Sequence, residues 1–576
     1  MDSRTAAHIL DQIGALLQLT GAPRFNARAY RTAAAAVLAL GADDLGPLLH
    51  SGELKKTAGI GPATLGVIRD LVETGESSYL ERLTEKTPRG LVEMARVPGL
   101  GIAKVSLLHE ALGIETLDDL EEAARDGRLA KVKGFGPKTA ERVLNGIAFA
   151  RESGKRTLIH RGLAQALVLE EQVARHPDVI EAMIAGSIRR VTEIVSEIDI
   201  VATCSVDPVE VAKSFANGAA VKQATRDASS ICIEYIDGVR MNLVCALPED
   251  SAVALWKSTG SDGHREQVTA HATKKKLRID GLKLLGPRRS AIGVSSEAEF
   301  YSKLGLQEIP PELREGMGEV EAAASHDLPD LVESEDIKGA LHCHTTWSDG
   351  GASIAEMALA AQALGWSYIG ISDHSQFAFY AGGMKRDKIL RQHEEIDELN
   401  SRMTKFRILK GCECDILPSG NLDYEDDTLD LFDYIVGSVH SQFKMAGEVM
   451  TARVLRAMDD PRLTILGHAT GRLLLSRQGY QLDIDAVIEK AVETATAIEL
   501  NADPYRLDLD WRHCRTARDK GVLIAIGPDA HSEDSLENVE MGVALARKAW
   551  CEKKDVLNTR TWKQVLSFAR SKKLRA

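Results

Sequence analysis

The stretch Ile337-Lys-Gly-Ala-Leu-His-Cys-His-Thr-Thr-Trp-Ser-Asp-Gly350 decides the fold. An apolar run ends in His342-x-His344, and Asp349 follows five residues later. Side chains alternate faces along a strand, so residues two apart point the same way and both imidazoles can reach one ion. Alone, the pair also reads as two surface histidines. Repetition downstream changes that reading. Short apolar runs end in Asp373-His374, Glu413, His440, His468 and Asp529-Ala-His531. Ligands at the ends of successive buried strands are what a β/α barrel gathers at one mouth. Imidazole and carboxylate without paired thiolates suit zinc, manganese or iron. Core packing is the rival reading, but six imidazoles and three carboxylates are costly to bury without a cation.

The 576 residues exceed one ordinary domain, with 44% hydrophobic and 27% charged content. No run of about 18 apolar residues could span a bilayer, and Met-Asp-Ser-Arg opens an amphipathic pattern rather than a signal peptide. The eight cysteines (204, 232, 245, 343, 412, 414, 514, 551) form no CxxC pair. Reduced thiols and a cytoplasmic location are therefore expected. A net charge of −13 argues against a general polyanion binder. Residues 1–155 nevertheless balance, with 20 basic and 20 acidic side chains. The window Lys257–Arg289 is locally basic, through Lys274-Lys275-Lys276, Arg278, Lys283 and Arg288-Arg289. It reads either as a solvated face or as a phosphate-tracking surface.

Residues 1–50 read as helices. Three glycine turns follow at Gly59-Ile-Gly61, Gly99-Leu-Gly101 and Gly134-Phe-Gly136, each set between helix-like segments. Amides at the start of the second helix can hold a phosphate. One GxG is weak evidence, but three copies within about 80 residues are an internal repeat. They resemble helix-hairpin-helix motifs, which grip the DNA backbone with few lysines. Gly186-Ser187-Ile-Arg189-Arg190 then leads to Glu197 and Asp199, which alternation places on one strand face. A carboxylate pair beside a Gly-Ser turn suits magnesium and a nucleoside triphosphate, and reads equally as surface acids on an edge strand.

Together these features resemble the bacterial family X DNA polymerases that carry a C-terminal PHP (polymerase and histidinol phosphatase) domain. The match runs in order through the Phe25–Arg31 segment, the hairpins, Gly-Ser-x-Arg-Arg, the acidic strand, Thr259-Gly260-Ser261 and the histidine set. The resemblance implies a multidomain α plus α/β chain. Expected are a helical hairpin domain over 1–80, a fingers-like tandem over 81–155 and a polymerase-beta-like nucleotidyltransferase palm (α+β) over 156–245. A thumb-like region over 246–315, an acidic linker over 316–335 and a seven-stranded β/α barrel over 336–576 complete the chain. In the barrel, His342, His344, Glu413 and Asp529 would bind one metal. Glu413 would bridge to a second held by His440 and His468, and Asp349, His374 and His531 would hold a third. Two or three manganese, zinc or iron ions are implied. Glu413 and Asp529 would take part in catalysis, Asp373 would orient a ring, and Arg472 and Arg506 are candidates for clamping phosphate.

The front half departs from the family. Its polymerase site resembles Gly-Asp-x-Asp plus a third Asp, whereas here Ser196-Glu197 and Asn242 stand at three of those positions and only Asp199 is unchanged. Lys257-Ser258 replaces an aromatic pair, Arg265 an asparagine, and Val67 the Schiff-base lysine of lyase-active members. Gly186, Ser187, Arg190 and Gly260 could still hold nucleotide, and magnesium at Asp199 and dNTP binding are both left open. The hairpin glycines 59, 61, 99, 101, 134 and 136 are the expected DNA contacts. The implied function is a monomeric, membrane-independent DNA-repair enzyme acting on gapped, nicked or 3′-ended DNA, with polymerase activity weak or lost. Three rivals remain: an active gap-filling polymerase, a front half that only tethers DNA, and a small-molecule phosphatase of the histidinol phosphatase type.

Overall fold

The computed structural model describes residues 1–573 apart from 2, 20–21, 23, 39, 41, 43–44, 76, 87–90, 92–93, 95–96, 98–99, 137–138, 145, 148–155, 218–220 and 236–237. The chain divides into two compact units, 1–155 and 156–576. Among the described residues, no helix is long and apolar enough to cross a membrane.

The first unit is helical. Leu10, Ile13, Val37, Ile68 and Leu71 share one core, and Leu108, Leu120 and Leu129 lie in a second. Gly59 and Gly134 both adopt φ of +94°, a conformation that favours glycine. Gly61 and Gly101 are the N-caps of the helices Pro62–Thr74 and Ile102–Leu112. The apolar neighbours Leu100 and Phe135 are buried, while Gly61, Gly101 and Gly136 are exposed. The second and third turns are thus anchored by a buried apolar side chain, while the Gly61 amide of the first donates to Thr64 Oγ1 at 2.9 Å. Gly99 lies outside the described residues.

The second unit begins with a five-stranded sheet. Its strands are β1 (Val179–Ile184), β2 (Ile198–Cys204), β3 (Val221–Asp227), β4 (Ser230–Tyr235) and β5 (Arg240–Ala246), in the order β1-β2-β5-β4-β3. β2 and β5 run parallel and pair Asp199 with Asn242. A small antiparallel sheet over 278–292 follows. Lys274, Lys275, Lys276, Arg278, Lys283, Arg288 and Arg289 are all exposed around it. The stretch 316–335, expected as a linker, is instead packed. Glu319–Ser325 is a helix whose Val320 and Ala323 enter the same core as Trp256 and Phe300. Glu319 is fully buried with its carboxylate 2.7 Å from the His264 ring. The acidic composition suggested solvation, but that acid is held by the buried ring and by the amides of Gly316 and Met317, which donate to it at 2.8 and 2.7 Å.

Seven parallel strands then follow in sequential order: β6 (Gly339–Cys343), β7 (Tyr368–Ile371), β8 (Arg407–Asp415), β9 (Tyr434–Ser438), β10 (Leu463–Leu466), β11 (Ala497–Asn501) and β12 (Ile524–Gly527). The ring nearly closes. The His344 amide donates to the Ala530 carbonyl at 2.8 Å, and the Ala530 amide donates to the His342 carbonyl at 3.3 Å. Every strand residue of β6, β7, β9, β10, β11 and β12 is buried, as a barrel covered by helices requires.

Glycine sets the internal packing. The Tyr434 ring crosses the barrel where Gly370 and Gly411 leave room. Its hydroxyl lies 2.7 Å from Ser372 Oγ. A Cβ on Gly370 would overlap that hydroxyl and come within 2.6 Å of Leu341 Cδ2. Gly370→Ala should therefore lower stability by about 1–3 kcal/mol through overpacking. Gly293→Ala, where an added methyl meets nothing within 4 Å, should stay within about 0.5 kcal/mol of wild type. Thermal and denaturant melts of the two variants check the difference.

Candidate metal centre

The barrel brings all nine predicted donors to one mouth. His342 is the penultimate residue of β6, and His344 follows on the segment that closes the ring against Ala530. His374 lies just beyond β7, Glu413 within β8, His440 beyond β9, His468 beyond β10, and Asp529 and His531 beyond β12. Asp349 comes from the loop after β6. His342 and Asp529 carry φ of +72° and +50°. Such backbone is uncommon outside glycine and clusters at functional sites, where the surrounding fold enforces it.

Glu413 is the hub. Its Oε1 lies 2.9 Å from His468 Nε2, 3.1 Å from His440 Nε2 and 3.3 Å from His342 Nε2. Its Oε2 lies 2.9 Å from His374 Nδ1 and 3.6 Å from His344 Nε2. Asp529 Oδ1 stands 3.4 Å from His344 Nε2 and 3.6 Å from His342 Nε2. Asp349 Oδ2 is 3.5 Å from both His374 Nε2 and His531 Nε2.

These donors form four overlapping groups, each compact enough for one ion. His342, His344 and Asp529 make one group. His344, Asp349, His374 and His531 make another. Glu413 joins His342 with His468 in a third, and His374 with His440 in the fourth. The predicted partition thus shifts in detail. Glu413 meets His440 and His468 in two separate groups, and His344 stands with the Asp349 set as well as with Asp529.

The donor set fits cations on two further observations. His342 Nε2, both ring nitrogens of His344, His374 Nδ1 and His468 Nδ1 are buried without hydrogen-bond partners. An unsatisfied buried polar atom costs about 1–3 kcal/mol, which a metal bond removes. The charges also call for cations. Burial opposes ionisation of Glu413, yet His440, His342 and His374 hold its carboxyl well below the usual range. Burial disfavours a charged His374 and a charged His440, but Glu413 raises them to about 10 and about 9. Protons on those rings occupy the electrostatic position that metal ions take, so binding would release them.

Several supporting groups had no clear signal in the sequence. Glu499 Oε1 lies 2.5 Å from His342 Nδ1, and its Oε2 accepts from the His468 amide at 2.6 Å. Asp415 Oδ1 is 3.2 Å from His440 Nδ1. Asn501 donates to Asp529 Oδ2 at 3.1 Å, and Arg506 Nε approaches the same oxygen at 3.2 Å. Partners of this kind fix the ring orientation of metal-binding histidines. The acids in Ala-Ile-Glu-Leu-Asn and in Glu413-Cys-Asp415 were the available clues, because a carboxylate within a buried strand needs a partner.

Two predicted roles change. Asp373 contacts no metal-site ring through a hydrogen bond. It accepts from the Thr345 amide at 2.8 Å, Thr345 Oγ1 at 2.6 Å, Ser348 Oγ at 2.5 Å and Gln392 Nε2 at 2.6 Å. Its work is to hold the loop that carries Asp349. Arg472 is not placed to clamp phosphate. Its guanidinium donates to Glu193 Oε1 at 2.9 Å, to Asp510 Oδ2 at 3.3 Å and to the carbonyls of Arg506 and Leu507. It joins the palm-like region to the barrel, whereas Arg506 reaches the donor cluster.

The palm-like site is assembled differently. Asn242 Nδ2 donates to Asp199 Oδ1 at 3.0 Å. Burial, opposed by that bond, raises the Asp199 carboxyl to about 6. Glu197 sits just before β2 and pairs with Arg240 at 2.8 Å. A Cβ on Gly186 would overlap the Asp199 carboxylate, so glycine is required there. Arg190, expected on a triphosphate, instead reaches Glu315 Oε1 at 3.1 Å and the Thr259 carbonyl at 2.6 Å. Lys548 of the barrel bonds the same glutamate and the Arg190 carbonyl. Ser187 follows Gly186 on the same turn, and Gly260 packs against His264.

Comparison with known proteins agrees with this layout. Residues 91–148 match the SAM-like helix-hairpin-helix tandem family, 254–315 the DNA polymerase beta thumb and 340–502 the PHP domain. The DNA polymerase/3′-5′ exonuclease PolX of Bacillus subtilis is 38% identical over 99% of both chains. A probable phosphatase of Clostridium acetobutylicum is 28% identical over 40% of this chain and 94% of its own. One of Caldicellulosiruptor saccharolyticus is 26% identical over 35% of this chain and 82% of its own. The phosphatase likeness spans less than half of this chain, whereas the polymerase likeness runs from end to end, and this chain belongs to the family X DNA polymerases that carry a C-terminal PHP domain.

Proposed function

We propose that this protein is a DNA-repair enzyme whose barrel hydrolyses phosphodiesters at DNA 3′ ends, as a 3′→5′ exonuclease, in 3′-end processing and in incision at abasic sites. The observation that carries this reading is the convergence of nine donors around Glu413, in a chain that also has helix-hairpin-helix and thumb segments. The whole-chain relative named a polymerase/3′-5′ exonuclease supports it. Two or three divalent ions would be held by His342, His344 and Asp529, by Glu413 with His342, His374, His440 and His468, and by Asp349, His374 and His531. Bound there, such ions lower the pKa of a coordinated water toward neutrality and offset charge on the phosphate.

The chain's own residues supply the positioning. Glu499 and Asp415 fix the His342 and His440 rings through Nδ1 and leave Nε2 facing Glu413. Arg506 neutralises Asp529 and brings a cation to the edge of the cluster, where an incoming phosphate oxygen can meet it. The exposed hairpin glycines and the basic surface over 274–289 are suited to holding DNA backbone without reading sequence.

Templated synthesis is proposed to be weak or lost. Asn242 offers an amide where the family has an acid, and Arg190 is engaged by Glu315 and Thr259. A two-metal site tolerates little displacement of its ligands. A small-molecule phosphatase has the support of the shorter relatives, but leaves the hairpin and thumb segments without a purpose.

With manganese and a labelled gapped duplex, the protein should shorten the primer, and the double change His342→Ala/His344→Ala should abolish that loss. Added dNTPs should give little extension. Robust extension that survives the double change would overturn the account of the front half, and cleavage confined to small phosphomonoesters would favour the phosphatase reading. Glu499→Gln removes the charge behind His342 while keeping shape. It should weaken metal affinity or activity by about 10–100-fold, measured by titrating manganese against both bound metal and primer loss.

A further inference from the structure

The loop that leaves the metal centre at His374 is closed by the Met384 amide, which donates to the His374 carbonyl at 2.9 Å. Within it, buried anchors and exposed rings interleave. Ala378, Ala381 and Met384 are buried, while Phe377, Phe379 and Tyr380 are 41%, 85% and 65% exposed. The loop is well braced. The Phe377 amide donates to Asp423 Oδ2 at 2.8 Å, and the Gly383 amide to the Ala378 carbonyl at 3.1 Å. Gly383 packs so closely on the Ser375 and Ala378 carbonyls that no side chain fits there. On its far flank, the Lys388 ammonium donates to the carbonyls of both Gly382 and Trp347, tying the loop to the segment that carries Asp349.

The Phe379 and Tyr380 rings meet edge to face, with centroids 6.0 Å apart. Tyr380 also feels the metal donors. Partial burial, with the charges of Asp415, Glu413 and Asp349, pushes its hydroxyl up to about 12. Gly382 lies against the Ser348 backbone, next to Asp349, so the loop that carries both exposed rings runs from one metal donor, His374, to the segment of another. Adjacent exposed aromatic rings at a site mark a binding surface, and the face of a nucleobase is the group that exposed aromatics stack on without sequence preference.

We propose that Phe379 and Tyr380 form a stacking platform for the unpaired nucleobase at a DNA 3′ end, holding the terminal phosphodiester against the donors at His374 and Asp349. This rests on the DNA 3′-end reading above.

The test uses the full-length protein with Phe379→Ala/Tyr380→Ala, both exposed positions. On a single-stranded oligonucleotide the double variant should raise KM about tenfold or more, with kcat changed less than twofold. Phe379→Trp/Tyr380→Phe should restore KM. On an oligonucleotide whose last two 3′ residues are abasic, wild type and double variant should share one KM. An unchanged KM on the normal oligonucleotide, or an equal rise on the abasic one, overturns the platform. A 3′-terminal 2-aminopurine gives a readout independent of hydrolysis. Its emission should be quenched on binding wild type and not on binding the double variant, and equal emission from the two would also overturn the platform. If wild type hydrolyses no DNA, the functional reading fails, and the 2-aminopurine signal still decides the platform.

Discussion

One buried carboxylate organises the catalytic half of this protein. Glu413 is 1% exposed and has five imidazoles within 3.6 Å of its two oxygens. An anion so placed is unfavourable unless positive charge surrounds it. The barrel meets that demand by ending its strands in histidine, and it holds the histidines with further acids. The result is a cluster whose charge balance calls for divalent ions. The left-handed backbone at His342, within β6, and at Asp529, just beyond β12, falls at two of the donors themselves.

Much of this was readable from the chain. Buried strands ending in ligands betrayed the barrel, and all seven strands fall where the apolar runs stand. The apolar runs ending in histidine or an acid marked the candidates, and the resemblance to the PHP domain selected the nine donors among them. The partition of those donors among ions was not readable. It depends on which oxygen of Glu413 faces which ring, a matter of ångströms set by strand register. Glu499 and Asp415 were hidden because a single acid inside an apolar strand has no periodic signature. Arg472 misled for the opposite reason. It follows His468 by four residues, but the chain turns at Gly471, whose φ is +60°, and the guanidinium meets Glu193 of the palm-like region.

The front half tells a complementary story. Substitutions seen in the sequence become contacts in the fold. Asn242 replaces repulsion between neighbouring carboxylates with a hydrogen bond to Asp199, and Glu197 is drawn to Arg240. Arg190, Glu315 and Lys548 then form a partly buried network that spans palm, thumb and barrel. Such networks are worth most when every member is satisfied. Here the arginine that could grip a phosphate is spent on holding domains together. The barrel and the palm-like region are joined again through Arg472 and Glu193, six residues before Asp199.

The central claim is that the Glu413 cluster holds several divalent ions together. Anomalous diffraction at the manganese absorption edge, from crystals of the full chain equilibrated with manganese, tests it most directly. The account predicts at least two strong peaks flanking the Glu413 carboxylate, one toward His342 and Asp529 and another toward His374 or His440. A single peak remote from Glu413, or none at the barrel mouth, would contradict it.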